Sequence, residues 1–167
     1  MGVAPILVVF GAIYHWYPKI TGRMFNEWMG QFHFWVTFVG AYLIFFPMHY
    51  LGLLGMPRRY HDIGQTSFIP DSAHTLNAFI SFVALIVGVA QMVFLFNMFW
   101  SLKRGREAGG NPWRATTLEW QTPETPPGHG NFGKELPLVY RWAYDYNVPG
   151  AKEDFIPQNQ PGPAHAH

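Results

Sequence analysis

Arg58 and Arg59 stand side by side in GMPRRYHDI (residues 55–63), directly after a stretch from residue 28 to residue 57 that carries no formal charge. Adjacent guanidinium groups repel each other and are costly to take out of water, so the pair asks for an anion nearby. Two sources fit: the phosphates of a lipid headgroup layer, or a fixed ligand with two separate carboxylates or phosphates. His33 and His49 lie in the same apolar run, sixteen residues apart. On a helix their directions differ by about 160°, so they cannot share one metal ion. His33 is one helical turn from Thr37, and together they make a small polar spot facing other protein. Such a spot is either a satisfied interhelical hydrogen bond or part of a proton path or cofactor-adjacent network. His49 falls near the outer end of the run, where water reaches it. Phe45, Phe46 and Met48 form an apolar cluster just before it, readable as core or as the wall of a cofactor site. GHGNFG (128–133) matches G-x-G-x-x-G, yet it follows Pro126-Pro127 with no strand before it and no apolar helix after it, so it does not read as a dinucleotide site. HAH at 165–167 lies on a terminus that cannot preorganise a metal site. No catalytic residue and no metal ligand emerges.

The elements that would position these residues are apolar and long. Charged residues are 13% of the 167 and aromatic residues 18%, against roughly 25% charged in soluble domains. Residues 1–102 carry seven charges (Lys19, Arg23, Glu27, Arg58, Arg59, Asp62 and Asp71), and the remaining 65 residues carry fourteen, with nine of the fourteen prolines. The first part has a membrane composition and the second an aqueous one. Residues 28–54 and 74–102 each exceed the roughly 20 residues that cross a bilayer. The second run encloses Asn77, Ser81, Gln91 and Asn97. Residues 2–17, which include Pro5, would span only about 24 Å before the Pro–Gly turn PKITGR (18–23), and so read as a truncated spanning helix. They lack the basic flank and small-residue cleavage site of a signal peptide.

The fold class is therefore an all-α membrane protein with about three transmembrane helices (2–17, 28–54 and 74–102) and an extended, proline-rich aqueous tail, 103–167. Lys19, Arg23, Lys103, Arg104 and Arg106 fall on one side of the membrane and only Arg58 and Arg59 on the other, which puts the tail in the cytoplasm and the arginine pair on the outer face. ELPLVYRWAYDYNVP (135–149) is aromatic enough to pack on a partner or at the membrane surface. A net charge of +1 lends no support to a nucleic-acid partner. The absence of cysteine excludes disulfides and thiolate sites.

HWYPKITGR, FFPMHYLGLLGMPRRY and TTLEWQTPETPPGHGNF, in that order, resemble the C-terminal quarter of cytochrome c oxidase subunit I, the haem–copper oxidase core; the resemblance runs from residue 1 to about 133. It implies the last three helices of a twelve-helix bundle in a bacterial cytoplasmic membrane. It also implies haem, of type a, shared with other chains, and copper held by another chain. The implied partners are the rest of subunit I, subunits II and III, and a cytochrome c donor, in electron transfer to oxygen coupled to proton translocation. Arg58 and Arg59 correspond to arginines that bind haem propionates. Phe45 and Met48 correspond to positions against the low-spin haem, although Met48 departs from the Gln of some members. His33 corresponds to a position near a hydrogen-bonded network. The family's haem- and copper-ligating histidines precede this region, so the resemblance implies a chain that is inactive by itself. Two alternatives stay open: a non-catalytic accessory or assembly subunit, and a related enzyme acting on nitric oxide.

Overall fold

A computed structural model describes residues 3–57, 70–123, 125–146 and 148–162. It contains three long helices, α1 (Val3–Thr21), α2 (Glu27–Leu53) and α3 (Asp71–Arg104), and one turn of 3-10 helix at Leu118–Trp120. All three long helices are long and apolar enough to cross a membrane. At 1.5 Å per residue they measure about 28, 40 and 51 Å.

α1 runs past the stop expected at Tyr17, to Thr21, with Pro18 inside it. Pro18 removes only one donor from the ladder. Beyond it the ladder closes again: the Thr21 hydroxyl donates to Tyr17 O at 2.8 Å and Gly22 N to Pro18 O at 2.9 Å. Tyr17, Pro18 and Lys19 are also buried, which holds the last turn helical. The helix is thus longer than the sixteen residues expected, and its reach approaches the roughly 30 Å of bilayer hydrocarbon.

α2 starts at Asn26, whose side chain accepts from Met29 N at 3.1 Å, with Glu27 in the first turn complementing the helix dipole. It ends in a Schellman motif. Met56 N bonds Leu51 O, Gly55 N bonds Gly52 O, and Gly55 adopts a φ of +89° that favours glycine. Met56 packs back against the Leu51 cluster, completing the motif's apolar contact. α3 begins at Asp71, where Ala73 N bonds Pro70 O.

Two compact units are present, Met1–Phe25 with Ser101–His167, and Asn26–Trp100. In the second, α2 and α3 run antiparallel. Leu51 meets Ala73 and Ile80 at one end, with Ile44 and Leu76 against them. At the other end Asn97, fully buried, donates to Asn26 O at 3.0 Å and accepts from Asn26 N at 3.1 Å. Between them Gly40 faces Val87 so closely that a Cβ there would run into Val87 Cγ2. A small residue at that level is what lets two membrane helices approach.

In the first unit the tail is docked on the end of α1. Trp113 Nε1 donates to His15 O at 3.0 Å, Trp16 Nε1 to Glu119 Oε2 at 3.2 Å, and Lys19 Nζ to Gly110 O at 3.4 Å. Trp120 is 2% exposed; the Lys19 ammonium lies 5.7 Å from its ring centroid and the edge-on His15 ring 5.1 Å away. Behind it Met24 N pairs with Arg106 O and Ala108 N with Gly22 O, an isolated antiparallel bridge centred on Arg23 and Glu107.

Candidate functional site

The densest polar feature inside the α2–α3 hairpin is His33, Thr37 and Gln91. His33 is 1% exposed and Thr37 7%. One turn apart on α2, both point at α3, and Gln91 reaches across to both. Its amide nitrogen donates to Thr37 Oγ1 at 3.0 Å and to Val87 O at 3.1 Å, and its oxygen lies 3.1 Å from His33 Nε2. A backbone carbonyl only accepts, so the contact with Val87 identifies the NH2 end of the amide. Gln91 Oε1 must then accept from a protonated His33 Nε2. The Phe94 ring, 5.0 Å from the imidazole, closes the apolar side. The network is a clamp with defined donors, in which each polar group would otherwise sit unpaired in a hydrocarbon-like interior.

Phe45 and Met48 lie elsewhere on α2, 47% and 44% exposed. They are three residues apart on one helical face, and a flat apolar group could cover both. His49 Nδ1 donates to Phe45 O at 2.8 Å, which leaves Nε2 as the acceptor nitrogen. Arg58 and Arg59 fall outside the described residues. What is described is the Schellman turn immediately before them, which directs the chain out of α2 at Pro57. Among the described residues no group of three His, Asp or Glu side chains converges as a metal site.

Comparison with known proteins bears on what this arrangement belongs to. The family described as "Cytochrome C and Quinol oxidase polypeptide I" matches residues 1–86, just over half of the 167. The chain belongs to this family. It is 77% identical over 166 residues to the "Alternative cytochrome c oxidase subunit 1" of Bradyrhizobium diazoefficiens, covering 99% of this chain and 28% of that protein. It is 44% identical to the cytochrome c oxidase subunit 1 of Synechocystis over 140 residues, 84% of this chain and 24% of the relative. The Cereibacter sphaeroides subunit 1 is 41% identical over 132 residues, 77% of this chain and 22% of the relative. The chain therefore spans about a quarter of the length of these subunits. Membership in a haem–copper oxidase family and three membrane-length helices agree with the fold class expected from the sequence.

Sequence reasoning paired His33 with Thr37 but left out Gln91, the residue that joins them. Its signal was present: a glutamine inside a long apolar run is expensive unless partnered. Gln91→Leu is expected to leave the His33 N–H without its acceptor and to destabilise the hairpin by about 1–2 kcal/mol. The His33→Phe/Gln91→Leu pair should recover most of that loss, because the stranded donor is gone. Thermal unfolding of the two variants in detergent checks both statements.

Proposed function

We propose that this chain supplies three membrane-spanning helices and a docked tail to the catalytic core of a respiratory terminal oxidase. That enzyme would pass electrons from cytochrome c to oxygen and couple the transfer to proton translocation. The observation that carries the proposal is the 77% identity to an oxidase subunit 1 along 99% of the chain. The exposure of the helices supports it: only 17% to 22% of the most apolar stretch of each is buried, leaving broad faces for further helices and lipid.

In this reading Arg58 and Arg59 neutralise haem propionates on the outer face of a bacterial cytoplasmic membrane, and Phe45 and Met48 cover part of the ring. Haem, of type a, supplies electron transfer and, with copper held by another chain, oxygen reduction. The residues of this chain hold charge, exclude water and set the spacing of α2 and α3. His33 and Thr37 belong to the network beside this site. Gln91 orients them, since a neutral amide holds its protons in place and does not readily pass one on. Residues 1–102 lie in the membrane and 103–167 on its cytoplasmic side. The remainder of subunit I and subunits II and III are the partners.

Affinity purification of the tagged chain from the producing cell's membranes tests the assignment. The expected result is co-purification of a polypeptide carrying the haem-ligating histidines, with an oxidised-minus-reduced haem spectrum. A chain that purifies without haem, in a strain whose oxidase turnover survives its deletion, would overturn it and favour an accessory role.

A further inference from the structure

We propose that residues 136–146 of the tail form an interfacial membrane anchor, seated in the boundary between lipid headgroups and acyl chains on the side where α1 ends. The segment leaves Leu136, Leu138, Tyr140, Trp142, Tyr144 and Tyr146 all exposed, from 46% for Tyr146 to 84% for Leu136. Val139, between Leu138 and Tyr140, is 55% exposed as well, so the apolar display runs along the segment rather than along one alternating face. A turn follows, in which Asp145 N approaches Trp142 O and the Trp142 and Tyr144 rings meet edge to face, 5.1 Å apart.

This outward display is built. The backbone on the inner side is pinned: Tyr140 N donates to Gln158 O, Gln158 Nε2 to Arg141 O, and the Thr116 hydroxyl to Ala143 O. Gln158 also accepts from Leu118 N and its own N–H donates to Thr116 O, so one residue ties three pieces of tail together. Pro137, Arg141 and Ala143 are partly buried, while Val139 and Asp145 are exposed. The six outward side chains are thereby held in water, where contiguous apolar surface of this size marks an interaction site.

Three features select a bilayer as the occupant. First, the segment belongs to the same compact unit as α1. Thr116, which holds Ala143, lies between Trp113 and Glu119, and those two residues bond the last turns of that membrane-length helix. The anchor is therefore carried by the unit that holds the end of a membrane-length helix. Second, four of the six side chains are Tyr or Trp, whose apolar rings and polar tips suit the interface; Trp16 and Trp113, also exposed, sit at the end of α1. Third, the segment carries only Arg141 and Asp145, so its charge cancels. Attraction then comes from ring burial, and it should be insensitive to salt and to lipid charge.

Photo-crosslinking in the full chain, in native membranes, tests this. p-Benzoylphenylalanine is placed at Leu138 or at Trp142, and at Glu153 as a control on the exposed acidic stretch of the tail. Because the probe is itself a large aromatic, it keeps the character of the anchor, and unchanged protease resistance of the tail confirms docking. The expected result is phospholipid adducts from positions 138 and 142, undiminished in high salt, and none from 153. Adducts with another polypeptide at 138 and 142 would show a protein partner and overturn the proposal. A yield no different from 153 would show a face in water and overturn it equally.

Discussion

Trp120→Ala is expected to release the tail from the end of α1. The indole is 2% exposed, filled in by the Lys19 ammonium and the His15 ring, and truncating a buried tryptophan costs about 3–5 kcal/mol. That loss corresponds to roughly two to four orders of magnitude in the protection of residues 113–122 against hydrogen exchange or proteolysis. Trp120→Phe separates loss of the ring from loss of the indole N–H. Among the described residues the Trp120 N–H has no hydrogen-bond partner, so phenylalanine removes an uncompensated buried donor while keeping an aromatic ring. It should lose far less than alanine does. Small losses in both variants would mean that ring burial is not what holds the tail, and that the hydrogen bonds of Trp113 and Trp16 are sufficient.

Arg58→Leu/Arg59→Leu, made in the assembled oxidase, is expected to weaken haem retention or shift the haem potential. Removing the cationic partner of a buried anion costs about 3–5 kcal/mol, because the anion remains without compensation. Visible spectra and redox titration read the effect directly, and the thermal stability of the helices serves as a control. Unchanged spectra and potentials would assign the pair to lipid phosphates. That result would leave membership in the oxidase family intact, since the family match does not depend on the role of these two side chains.

Much of the fold was legible from composition. Residues 28–54 and 74–102 were recognisable as spanning segments because hydropathy sums over neighbours, and α2 and α3 fall within three residues of those bounds. The end of α1 was not legible. Pro18 is a local stop signal, and it was overridden by burial of Tyr17, Pro18 and Lys19, a property of the folded unit and not of the sequence window. The docking residues of the tail were similarly hidden. Trp120 lay inside TTLEWQTPETPPGHGNF, a motif that pointed to a family, but nothing local announced that its ring would be buried between Lys19 and His15.

The sequence by itself determined membrane character, the helical segments, the family resemblance and the polar spot of His33 and Thr37, because each follows from residue type or from spacing within one helix. Only the tertiary structure decided that Gln91 joins those two residues, that Asn97 holds the start of α2, and that Gly40 sets the approach of the helices. The Gln91 bonds link residues 54 and 58 positions apart. Which residues meet over such separations depends on the register of two antiparallel helices, and that register is set by packing along their whole contact rather than by any one stretch of chain.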